Sequence, residues 1–170
     1  MKAITDWMTS WQRRAAAEGW ALVPLRLLVG FGFAAHGYAK LARGPASFAA
    51  ALAGMGIPAP GPMAWVTALL EFLGGVAIML GAYVVPLTLP FMVVMATAMF
   101  GAHLRYGFSS IKLKAITASG AEFGPPGYEL NLLYITALLA LAWSGPTAWS
   151  FDRWRAVRRA RGATPMDCQL

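Results

Sequence analysis

The sequence of 170 residues has one cysteine, Cys168, so an internal disulfide and a CxxC redox pair are excluded, and disulfide exchange within one chain goes with them. Charge is scarce too. Only 12% of residues are Asp, Glu, Lys or Arg against 58% hydrophobic ones, the balance of an integral membrane protein and not of a soluble domain. Acids are the rarer sign, 7 against 14 Lys and Arg, for a net charge of +7. That excess does not point to nucleic acid. Five of the 14 basic residues lie between Arg153 and Arg161, directly after the last apolar segment, where positive charge marks the cytoplasmic end of a membrane helix. A nucleic-acid-binding domain needs a solvated basic surface that most of this chain cannot supply. Haem-attachment, flavin and iron–sulfur patterns are missing as well, and no metal site is read from the sequence.

What is present is organised by apolar runs. A helix needs about 20 mostly apolar residues to cross the hydrocarbon, and four windows are read as spans: 21–41, 63–83, 84–103 and 128–143. The expected fold is all-α, an integral membrane four-helix bundle, in three parts: residues 1–20, the membrane domain 21–152 and a basic tail 153–170. In the first part Trp7, Met8, Trp11 and Ala15 recur at helical spacing opposite Asp6, Gln12 and Arg13, the pattern of a short interfacial helix. No short apolar core with a small-residue cleavage site precedes the first span, so a removed signal peptide is not expected.

The Gly- and Pro-rich stretch "ARGPASFAAALAGMGIPAPGP" reads as a loop with a short helix at 46–52. Pro86 and Pro90 fall near the start of the third span, where Pro90 is placed to kink it. In the loop 104–127 the segment "IKLKAIT" alternates like a strand, so a small hairpin and an unstructured loop are equally consistent with it. Lys2, Arg13, Arg14 and the five tail arginines flank one side of the spans. Lys40, Arg43, Arg105, Lys112 and Lys114 lie on the other, and eight against five puts both termini in the cytoplasm.

Ionisable residues at membrane depth are costly and usually face the bundle interior, so each is a candidate for a site. At about 100° per residue, Arg26, His36 and Lys40 share a sector of roughly 80° on the first helix. Gly30 and Gly37 lie on or beside that stripe, where small residues let a neighbouring helix approach. Glu71 is the deepest acid of the second span, with Gly74 and Gly75 on its face. By helical rise it lies about 12 Å below the outer boundary and His36 about 8 Å below, which suggests a His36–Glu71 contact. Arg26 lies about 12 Å deeper than Glu71 and either reaches it or snorkels to the headgroups. On the third helix Met92, Met95, Met99 and His103 share a face with Thr88. That stripe is either ordinary packing or the wall of a site for a flat hydrophobic cofactor or a Cu(I) ion. Glu129 opens the fourth helix, so His36, Lys40, Glu71, His103 and Glu129 are expected around one outward-opening polar cavity.

The order of these features is itself a signal. Arg26 and Gly30, then His36–Gly37 and Lys40–Leu41, are followed by Glu71 with Gly74–Gly75, His103, Glu129 and "SGPTAWSFD" ending at Asp152. Over residues 22–152 this order resembles the DoxX family of small bacterial membrane proteins. The resemblance implies a four-helix membrane fold in the bacterial inner membrane. Through relatives of the membrane subunit of thiosulfate:quinone oxidoreductase it also implies quinone-linked chemistry. The family-like positions are Arg26, His36, Gly37, Lys40, Glu71, His103, Glu129 and Asp152.

Three functions compete on these grounds. In the first, the chain is a quinone-reactive oxidoreductase subunit whose His36 and Glu71 pass protons, electrons coming from a redox partner protein. In the second it is a small-solute transporter, although no internal repeat supports this. In the third it is a non-catalytic assembly protein whose ion pairs set helix register and whose basic end docks anionic lipid or a partner. Membrane lipids are partners in each case, and self-association is left open.

Overall fold

The computed structural model describes residues 19–162, so the interfacial helix expected before residue 19 and the tail beyond 162 lie outside the described residues. After a 3₁₀ turn at Trp20–Leu22, helix α1 (Val23–Arg43) runs to Gly44, whose φ of 84° ends it. Pro45 then opens α2 (Pro45–Gly54), the short helix expected in the Gly- and Pro-rich loop. Helices α3 (Pro60–Leu80) and α4 (Val84–Tyr106) are joined by a tight reversal at Gly81, which has φ 67°. A hairpin, β1 (Leu113–Thr117) with β2 (Gly120–Phe123), precedes α5 (Glu129–Ser144), and α6 (Phe151–Gly162) follows.

Among the described residues, three helices are long and apolar enough to cross a membrane: the stretch Trp20–Arg43 containing α1, then α3 and α4. Their outward faces are apolar. Leu28, Phe31, Leu73, Leu89 and Phe100 are 60–67% exposed, a surface suited to lipid and costly in water. The fourth expected span is helical where expected, but α5 has 16 residues and is the shorter kind, closed by Gly145–Pro146. The all-α expectation also needs correction. The "IKLKAIT" stretch does pair as an antiparallel hairpin with an irregularity between Leu113 and Ala115, because its alternating residues meet the complementary segment Gly120–Phe123.

The core forms where α1, α3, α4 and α5 meet, around Phe33, Ile78, Phe91 and Leu138. Phe33 lies 4.0 Å, centroid to centroid, from Phe91 and 5.2 Å from Tyr134. Glycine sets the spacing between α1 and α3. A Cβ at Gly37 would lie 2.3 Å from Phe72 N, and one at Gly75 would lie 2.4 Å from Ala34 N. Both neighbours are backbone and cannot step aside, so the small-residue stripe read in the sequence is the contact itself. Gly37→Ala is expected to cost about 2 kcal/mol by prying the helices apart. Gly54→Ala, with nothing within 4 Å of the added carbon, should be neutral or slightly stabilising. Thermal unfolding of the two variants in one detergent checks the contrast.

Two helices widen for one turn. α3 is π-helical over Leu70–Gly74, which includes Glu71, and α4 over Met99–His103, which ends on His103. Such turns insert one residue, rotate everything beyond them and concentrate at functional sites.

Candidate functional site

At one end of the helices, the end of Arg26, the ionisable groups are consumed by structure. Arg26 is buried, and its Nη1 donates to Thr147 Oγ1 at 2.5 Å and to the Ala148 carbonyl at 3.1 Å. Its Nη2 donates to the Trp149 carbonyl at 3.2 Å. The planar fork suits an arginine and no other side chain. Neither expected reading of Arg26 holds, since it does not reach Glu71 and does not extend to headgroups. The reason is the segment between α5 and α6, which folds back to offer it acceptors. Gly81 makes room, because a Cβ there would meet Ser150 Cβ at 2.3 Å and Arg26 Nη1 at 2.7 Å. Asp152 finishes the joint. Its two carboxylate oxygens accept from the amides of Tyr83 and Val84, each at 3.0 Å, and cap the first turn of α4.

The other end holds a cavity of ≈ 510 Å³, within the usual range for small-molecule sites of about 300–1,000 Å³. It gathers His36 and Lys40 of α1, Glu71 of α3, His103 of α4 and Asn131 and Tyr134 of α5. The rest of its wall is mostly apolar, including Phe33, Phe48, Met55 and Met95. Lys40 Nζ donates to Glu71 Oε2 and sits 4.8 Å from the centroid of the Phe48 ring. The pair is lopsided in burial: the Glu71 side chain is 3% exposed and that of Lys40 22%. Glu71 is thus paired with Lys40, and among the described residues no hydrogen bond joins it to His36. His36 lines the same cavity and is exposed, as are Val93 and Leu130, so the space opens at these residues.

His103 is held by a residue that the charge-based reading passed over. The Asn131 amide donates through Nδ2 to the Met95 carbonyl at 3.2 Å, which leaves Asn131 Oδ1 to accept from His103 Nδ1 at 2.6 Å. That bond fixes the orientation of the ring. Asn131 was visible in principle, because it and Tyr134 stand three residues apart in an otherwise apolar helix, the spacing of one face.

Two expected members fall elsewhere. Glu129 does not line the cavity; its Oε2 accepts from the Ser110 amide at 2.9 Å and ties the loop to the start of α5. The methionine stripe is split, with Met95 in the cavity wall and Met92 packed against the core. Met99 falls in the π-helical turn and is outside the cavity lining. Among the described residues no cluster of three or more His, Cys, Asp or Glu is placed to hold a metal ion.

Neither the curated proteins nor the solved structures contain a match to the chain. A family model does match: DoxX, over residues 21–104, which takes in α1, α2, α3 and α4 as far as Leu104. Arg26, His36, Gly37, Lys40, Glu71 and His103 all fall inside the matched stretch, whereas Glu129 and Asp152 lie beyond it. With three helices of spanning length and lipid-suited outer faces, this match makes the chain a membrane protein that belongs to the DoxX family.

Proposed function

We propose that the cavity binds the headgroup of a lipid-soluble quinone and that the protein serves as the membrane subunit of a quinone-dependent oxidoreductase. The observation that carries this reading is the joining of four ionisable side chains, His36, Lys40, Glu71 and His103, to one mostly apolar chamber at membrane depth. A quinone ring asks for that combination: apolar and aromatic faces for the ring, and polar groups for its two carbonyl oxygens. Phe33, Phe48 and Tyr134 supply aromatic surface, and Lys40, His36 and His103 supply the polar groups. When bound, a quinone accepts two electrons and two protons. Glu71 holds Lys40 in place, and Asn131 keeps His103 oriented. Within these 170 residues no haem, flavin or iron–sulfur motif is written, so the reductant is a partner protein.

In this reading α5 completes a four-helix bundle in the bacterial inner membrane. At 1.5 Å per residue its 16 residues reach about 24 Å, and the flanking Trp143 and Trp149, both at least 80% exposed, extend the apolar reach to the interface. Both termini then lie in the cytoplasm beside the arginines of α6. A non-catalytic assembly role is the second reading, favoured by the three hydrogen bonds with which Arg26 holds the segment after α5.

Titration of the detergent-solubilised chain with a decyl-tailed benzoquinone separates the two. Saturable binding is expected, weakened about tenfold in His36→Leu, the loss of one hydrogen bond to a charged or polar donor. His36 makes no hydrogen bond to the protein among the described residues, so its replacement should leave thermal stability unchanged. Absence of saturable binding in the wild-type chain would leave the assembly role standing alone.

A further inference from the structure

Beside the cavity lies a second hollow of ≈ 490 Å³, a groove between the end of α2 and the outward side of α4. The two spaces share Met55, Ile57, Val93 and Thr97, so the groove adjoins the chamber along these side chains. It runs on to Phe100 and Gly101, within the segment of α4 long and apolar enough to span. Its far end is open at Phe100, which is 66% exposed. Small residues on α4 create the depth. A Cβ at Gly101 would lie 2.8 Å from Met55 Sδ and 3.1 Å from Met55 Cγ, so the methionine can rest across the helix only because position 101 has no side chain.

A chamber with polar groups set against an apolar trench matches the two parts of an amphipathic molecule. The head belongs in the chamber and the chain in the trench. We propose that the groove holds the prenyl chain of the quinone whose head occupies the cavity, and that the ligand enters sideways from the bilayer between α2 and α4. The inference rests on the quinone reading and adds to it. It makes the ligand a lipid with a long tail, in place of a small soluble compound that arrives from the water. Thr97 is the one polar side chain shared between the two spaces, and beyond it the groove offers a ligand nothing but apolar side chains.

The test compares a tailed quinone, carrying at least two prenyl units, with a tailless dimethoxybenzoquinone on the full chain in one detergent. Ala96→Phe and the smaller Ala96→Leu fill the groove, and position 96 does not line the chamber. Partitioning into micelles is the same for wild type and variants, so the ratio of their dissociation constants reports the groove alone. Both variants are expected to weaken the tailed ligand at least tenfold and to leave the tailless one within twofold. Unchanged affinity for both ligands, or an equal loss for both in each variant, overturns the groove as a tail site. If the wild-type chain binds neither quinone, the failure belongs to the cavity reading; tailless binding that is intact and blind to tail length refutes only the groove.

Discussion

Replacing Arg26 with alanine is expected to destabilise the protein by about 4 kcal/mol, a large part of the roughly 5–15 kcal/mol that holds a typical domain folded. The side chain is 3% exposed and joins α1 to three consecutive residues, Thr147, Ala148 and Trp149, on the far side of α5. Truncation strands the Thr147 hydroxyl and the Ala148 carbonyl in a buried place and leaves the Trp149 carbonyl without its partner in a partly buried one. Each stranded group costs about 1–3 kcal/mol, and the lost bonds are to a charged donor. Arg26→Lys should recover only part of this, because one ammonium cannot span acceptors laid out for a fork. Reversible unfolding in mixed micelles measures both. Equal stability of Arg26→Ala and wild type would mean that the segment after α5 is held by something else.

The second large effect concerns Lys40 and Glu71, and its sign of asymmetry matters more than its size. Lys40→Met leaves a carboxylate that is 3% exposed without its counter-ion, which by analogy with broken buried pairs costs about 3–5 kcal/mol. Glu71→Gln should cost much less, about 1 kcal/mol. The freed Lys40 is already 22% exposed, lies over the Phe48 ring and can extend toward water. The double variant Lys40→Met/Glu71→Gln should regain most of the loss of Lys40→Met, giving a coupling of about 3 kcal/mol in a double-mutant cycle. Additive losses would contradict the pairing.

Much of this site could be read before any coordinates. Helical geometry alone put Arg26, His36 and Lys40 on one face and Glu71 on an inward one, because membrane depth penalises charge and periodicity then tells where it points. The glycines followed from the same stripe. What could not be read depends on contacts distant in sequence. The partners of Arg26 are 121 to 123 residues away and come from a segment with no periodic signal. Lys40 displaced His36 as the partner of Glu71, a choice made by rotamer and tilt at equal helical facing. The π-helical turns at Leu70–Gly74 and Met99–His103 carry no signal that angular arithmetic on a uniform α-helix can register, and they rotate whatever follows them. Glu129 was drawn off by Ser110, in a loop whose path no pattern announces. Asn131 was missed because the search followed charge, and a neutral amide buried on an apolar helix says as much.

The central claim is that the chamber between Lys40, His36 and His103 holds a lipid-soluble quinone. Native mass spectrometry of the full chain released from detergent micelles tests it in one spectrum. The expected result is a discrete neutral adduct with the mass of a prenylated quinone, retained by the wild-type chain and lost from the His36→Leu/His103→Leu double variant. A bare chain, or phospholipid adducts indifferent to those two substitutions, would contradict it.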